Sequence, residues 1–137
     1  MPVNEPVLTG PDSGEKVTYG NGSSAELKVT GEQTDGEYAA LLYRVKPGDE
    51  PPLHTHSHED EMVHVIDGEV TAIVGEAEIP VGPGAYAALP RGIPHTIRVT
   101  SEEAVLLITA VPAGLERFFV PRDGESPDPA DFGLTIH

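Results

Sequence analysis

Residues 48–68 carry His54, His56, His58, Glu59, Asp60, Glu61 and His64, the densest concentration of metal-ligating side chains in the chain. His54 and His56 are two apart, so in extended backbone both rings turn to one face. Glu61 opens a run, residues 61–66, that reads as a strand. Asp67-Gly68 closes it with the residue pair of a tight hairpin turn, which makes residues 69–74 the expected return strand. The expected fourth donor is His95, just past the Pro90-Arg91-Gly92 turn, on a strand expected to run beside the one carrying Glu61. Three neutral imidazoles and one carboxylate suit a divalent first-row metal and leave one or two positions for water or substrate. Mixed nitrogen and oxygen donors without sulfur fit Mn, Fe, Co, Ni or Cu and are less typical of structural zinc, although purified protein can carry zinc. The metal-ligand set is therefore His54, His56, Glu61 and His95, with Glu61 also the catalytic candidate, as a carboxylate able to accept a proton. Imidazoles bind metal only when neutral, so occupancy should fall below about pH 6.

A His-x-His alone is as readily a solvated loop; Glu61, the glycine spacing and His95 favour the metal. His58 can extend the ligand set or replace His54, but reads more simply as facing solvent at a loop tip. His64 lies three after Glu61 and hence on the opposite strand face, as a sheet-packing or interface histidine. Glu59 and Asp60 read as solvated loop charges, with partnership to a ligand imidazole the lesser role. His137, at the end of the chain, carries no argument.

The elements around this stretch are short and extended. Residues 38–45 put Ala39, Leu41, Tyr43 and Val45 on one apolar face and Arg44 on the other. Pro51-Pro52 forces an extended approach to His54. Further strands are expected at residues 25–30, 76–79, 85–89, 95–99 and 104–111, the last buried on both faces. Residues 112–119 suggest one or two helical turns, with Phe118 and Phe119 packed as lids. Tyr43 and Tyr86 are candidates for pointing into a cavity whose lining should be aliphatic. Eight to ten short strands and one terminal helix favour an all-β double-sheet jelly roll over an immunoglobulin-type sandwich. A loose arm over 1–14, one domain over 15–120 and a surface tail over 121–137 complete the division.

Composition bounds the class. With 137 residues, 38% apolar and 23% charged, the chain suits one globular domain, and 15 Gly and 14 Pro cut it into short segments. The net charge of −15 argues against nucleic acid and anionic membranes as partners. No cysteine is present, which excludes disulfides and thiolate sites. The N-terminus lacks the pattern of a signal peptide and no apolar run approaches the ~18 residues of a membrane span, so a cytoplasmic location is expected.

At these residues the chain resembles the cupin superfamily. That family's first motif is a Gly, five residues, His-x-His, three or four residues, Glu, six residues and Gly, matched by Gly48, His54, His56, Glu61 and Gly68. Its second, a Gly, five residues, Pro-x-Gly, two residues and His, is matched by Gly84, Pro90, Gly92 and His95, fifteen residues on. An Asn usually follows the last His by four positions; here that position is Val99, so the Asn contact is missing while no ligand is lost. Residues 29–34, 51–54, 90–95 and 112–119 are similar to small single-domain bacterial cupins grouped with quercetin 2,3-dioxygenases. The resemblance implies a double-stranded β-helix and the ligands His54, His56, Glu61 and His95. It further implies a metal-dependent oxygenase acting on a small aromatic or enol-bearing molecule, with dioxygen as a partner. Cyclases, isomerases, dehydratases and non-catalytic ligand binders are the alternatives within the family. A homodimer is expected, through residues 104–111 and the outer face of 61–66.

Overall fold

The computed structural model describes residues 5–137. Its strands are β1 (Lys16–Tyr19), β2 (Ser23–Val29), β3 (Ala39–Val45), β4 (His54–His56), β5 (Asp60–Asp67) and β6 (Val70–Val74). They continue as β7 (Ala77–Val81), β8 (Tyr86–Leu89), β9 (His95–Val99), β10 (Ala104–Val111) and β11 (Leu134–Ile136), with a single helical turn, α1 (Glu116–Phe119), after β10. A six-stranded sheet in the order β1-β2-β3-β10-β5-β8 faces a five-stranded sheet in the order β11-β4-β9-β6-β7, and every pairing is antiparallel. This is the all-β jelly roll expected from the strand pattern.

The core lies between the two sheets because alternation sends one face of each strand inward. On β3 that face is Ala39, Leu41, Tyr43 and Val45, each at most 3% exposed, while Arg44 points to solvent. On β10, between β3 and β5, the inward Ala104, Leu106, Ile108 and Ala110 are buried. Of its outward residues Val105 is buried, but Leu107 and Thr109 are only half-buried and Val111 is 38% exposed, because a second layer covers one face of this sheet alone. The expectation of burial on both faces therefore holds for the inner face and, on the outer, only at Val105.

Two topological expectations fail. Asp67-Gly68 is not a hairpin turn: β5 pairs β10 and β8 in the large sheet, whereas β6 pairs β7 and β9 in the small one. Gly68 sits at the crossing, at φ +84, where a Cβ would lie 2.2 Å from the Glu103 carbonyl oxygen. Positive φ suits a crossover corner as well as a hairpin, and the close approach to the 103–104 backbone selects glycine. The tight hairpin lies one strand later, where Val74 pairs Ala77 across Gly75-Glu76. The strand carrying His95 likewise runs beside His54, not beside Glu61.

The 121–137 segment is more than a surface tail. Pro129–Phe132 forms one 3₁₀ turn, capped by the Asp128 carboxylate, which accepts from the Ala130 N–H, and stopped by Gly133 at φ +69. The Pro, Asp and Gly that suggest a tail are thus the cap and stop residues of that turn. It delivers β11 onto the edge of β4, pairing Leu134 with His56 and Ile136 with His54. Leu134 joins Ala110 and Leu115 in a small second core, with Phe118 and Phe132 against it. At the other end, residues 1–4 of the expected arm lie outside the described residues, and Thr9 Oγ1 donates to the Lys28 carbonyl oxygen at 2.7 Å.

Candidate metal centre

The small sheet supplies three imidazoles and the large sheet one carboxylate. His54 and His56 alternate on β4, so both rings face inward, and His95 stands directly opposite His54 on β9. Glu61 projects from β5 across the interior, flanked in its sheet by Ala110 and Leu89. All four residues are buried, and one ligand atom from each lies within 4.8 Å of the others. Opposed ligands of a single transition ion stand roughly 4 Å apart, so this is the spacing of one coordination shell.

Each ring is turned by its outer nitrogen. His54 Nδ1–H donates to the Pro52 carbonyl oxygen at 2.6 Å and His95 Nδ1–H to the Ile93 carbonyl oxygen at 3.2 Å. His56 Nδ1–H donates instead to the Glu59 carboxylate at 3.0 Å. Because those acceptors cannot donate, Nδ1 carries the proton on every ring and Nε2 is left with its lone pair toward the cluster. Nε2 of His56 and of His95 are buried without a hydrogen-bond partner. Glu61 Oε2 approaches them to 2.9 and 3.6 Å, so with neutral rings acceptor faces acceptor, and a cation, a proton or a metal ion, is needed between them. Orphaned buried nitrogens aimed at one carboxylate are what a bound divalent ion would satisfy, so these residues fit a metal.

Charge in the cluster is strongly coupled. Burial pushes the Glu61 carboxyl up, but His56 and then His95 outweigh it and hold it well below the usual carboxylate range. For His56, burial acts downward and Glu59 and Glu61 outweigh it, raising the imidazole. His54 moves the other way, because burial favours its neutral form.

The expected ligand residues are thus brought together. His58 is exposed and outside the cluster, and His64 sits on the outer face of β5 opposite Tyr86. Glu59 requires correction: it is 2% exposed and holds the His56 ring. Its place three residues after His56, across a two-residue turn, is the sequence signal for that contact. Asp60 is not a free charge either; its carboxylate accepts from the Arg91 backbone N–H at 3.0 Å and from Arg91 Nε at 3.1 Å. With the Gly92 N–H donating to the His56 carbonyl oxygen at 2.8 Å, that pair fastens the turn preceding His95 onto the His-x-His strand. Val99 packs in the core, and its N–H donates to the Glu50 carboxylate at 2.9 Å.

A cavity of about 350 Å³ runs between the sheets from this cluster. Its walls are aliphatic, including Val63, Val65, Val70, Ala72, Ala87 and Ile97. Tyr43 lines it as expected, packed edge-on against Phe119 at 5.5 Å between ring centroids. Phe119 lines the cavity and packs against both cores, whereas Phe118 belongs to the second alone. The cavity reaches solvent at the sheet edges β7 and β8, where Ile79 and Tyr86 line it and are 49% and 67% exposed.

A family model described as Cupin domain matches residues 41–111. Quercetin 2,3-dioxygenase from Bacillus subtilis (strain 168) is 28% identical over 102 residues, 74% of this chain and 30% of that protein. The chain therefore spans under a third of the length of that curated relative. A sugar phosphate isomerase from a cupin superfamily, from Silicibacter pomeroyi DSS-3, superposes with a TM-score of 0.62 at 27% identity, over 75% of this chain and 74% of its own. KdgF from Halomonas sp. superposes with a TM-score of 0.71 over 80% of this chain and 96% of its own, at 12% identity, a likeness of fold alone.

Proposed function

The chain belongs to the cupin family, and from that membership we propose that it is a metal-dependent oxygenase acting on a small aromatic or enol-bearing molecule. The observation that carries this reading is the joining of a buried His54, His56, Glu61 and His95 cluster to an apolar cavity of about 350 Å³. Such a cavity lies at the small end of ligand sites, which run to about 1,000 Å³. A divalent ion held there supplies Lewis acidity, lowering the pKa of a bound hydroxyl and orienting it.

The chain's own residues do the rest. Nε2 of His54, His56 and His95 face the cluster, with Nδ1 of each fixed from outside. Glu61 is the one carboxylate that lines the cavity, and it takes the enol or phenol proton as the substrate oxygen becomes anionic. Val63, Ala87 and Leu89 keep water from the reacting end. The quercetin 2,3-dioxygenase relative supports the oxygenase reading.

Non-oxidative isomerisation, cyclisation or dehydration on the same centre is the second reading, favoured by the similarity to a sugar phosphate isomerase. Against a phosphorylated substrate, no Lys or Arg lines the cavity. A homodimer formed through the outer face of β5 and β10, and a cytoplasmic location, complete the proposal. No helix among the described residues is long and apolar enough to cross a membrane.

The test is oxygen uptake by protein loaded with each first-row metal, screened against flavonols, diones and hydroquinones. Uptake that scales with metal content and disappears in Glu61→Ala supports the oxygenase. Equal turnover under anaerobic conditions moves the assignment to the isomerase or cyclase class.

A further inference from the structure

The cavity walls say more about the substrate than the metal ligands do. Beyond His54, Glu61 and His95, its lining holds no Lys, Arg, Asp, Asn, Gln or Ser. Its remaining polar side chains are Tyr43, Thr96 and Tyr86. Thr96 Oγ1 already donates to the Pro51 carbonyl oxygen at 2.6 Å, and the Tyr43 hydroxyl faces the Asp49 carbonyl oxygen at 3.5 Å. Tyr86 pairs with His64 and shares its outward face, so its side chain is 67% exposed at the rim. Away from the β7 and β8 edges, the backbone of the walls is engaged in the sheets' own pairing. A molecule filling this space meets polar partners at the metal end and almost none along its body.

We infer that the substrate is a neutral molecule with a single oxygen-bearing head, an enol, enolone or dione, on an otherwise apolar body without further hydroxyls or anionic groups. The inference rests on the metal-centred reading above and adds the body to the head. It sets this cavity against sugar phosphates, whose phosphate would find no cationic side chain beyond the metal end. It sets it equally against flavonols hydroxylated around both outer rings, because each buried hydroxyl left unpaired weakens binding by roughly fivefold or more.

The probes are acetylacetone and its straight-chain homologues, each longer by one methylene, together with an analogue of the longest bearing a terminal hydroxyl. Affinities are measured by calorimetry on the full chain loaded with zinc, which has no redox chemistry, and on the metal-free chain. Affinity should rise by about fourfold for each methylene buried, until the cavity is full. The terminal hydroxyl should lose at least about fivefold against its parent. Ala72→Leu, which adds bulk to the wall on β6, should end the rise at a shorter tail while leaving zinc content unchanged. A flat series with zinc-dependent binding, or quercetin binding as tightly as the longest dione, overturns the apolar-body inference and leaves the metal-centred reading standing. A rising series indifferent to zinc keeps the apolar body and removes the metal-centred head. Absence of binding throughout overturns both.

Discussion

The most informative single perturbation is at Glu59, which touches no substrate and holds no metal in this reading. Its carboxylate accepts from His56 Nδ1–H at 3.0 Å, and both side chains are 3% exposed. Glu59→Ala leaves that N–H buried without an acceptor, a loss of about 1–3 kcal/mol for such a group. Part of it falls on the fold and part on the metal, because the ring is no longer held with Nε2 toward the cluster. Removing the outer partner of a ligand histidine typically lowers metal affinity by about 10–100-fold, and this pair should fall in that range. Glu59→Gln retains an acceptor oxygen at similar reach without the charge, so its loss should be smaller than that of Glu59→Ala. His58→Ala, exposed and outside the cluster, should leave affinity unchanged. The assay is competition for zinc and nickel against a chromophoric chelator, with circular dichroism confirming that each variant is folded. A folded Glu59→Ala protein whose metal Kd stays within about threefold of the parent's would refute the reasoning, since the 10–100-fold range rests on a working contact.

Three further outcomes are expected. Gly68→Ala should destabilise the fold by more than about 2 kcal/mol, because a Cβ at φ +84 meets Glu103 oxygen at 2.2 Å and Ala104 Cα at 2.7 Å, both backbone atoms; an unchanged urea midpoint would contradict the close approach. Burial pushes the Glu26 carboxyl up, but the Lys28 ammonium at 2.8 Å and the Gly14 N–H at 3.0 Å outweigh it and hold it below the usual range. Its contribution is therefore present above about pH 4.5 and lost as pH falls through the lower folded value, so the gap in urea midpoint between parent and Glu26→Gln should narrow from pH 7 toward pH 3; a constant gap would rule that out. Removing residues 128–137 strips β11 from β4, and hydrogen exchange at residues 54–56 should quicken while metal is lost sooner; unchanged protection of those amides would show that β4 holds without its neighbour.

The gathering of the four residues was legible because its signal is local: alternation on an extended strand puts His54 and His56 together, and a fixed turn precedes His95. The jelly roll was legible from short alternating strands such as β3, whose buried and exposed residues follow the sequence period. Strand partnership was not, because it is decided by contacts distant in sequence. Asp67-Gly68 has the composition of a hairpin, yet β5 pairs in one sheet and β6 in the other, and Gly68 is the residue that fits the crossing against residues 103–104. Glu59 illustrates the same limit at the site. Its charge suggests solvent, and only the turn at residues 57–58, where Ser57 donates to the Gly133 carbonyl oxygen just before β11, brings it under His56.

The division of the ligands between the sheets has a mechanical consequence. Three of them hang from one layer and Glu61 from the other, so an ion bound by all four is a clasp across the sandwich. Tight binding would add RT ln(1 + [metal]/Kd) to the stability of the folded chain, and chelation would withdraw it. A mutation that loosens the grip on the ion will then be felt in the stability of the whole sandwich.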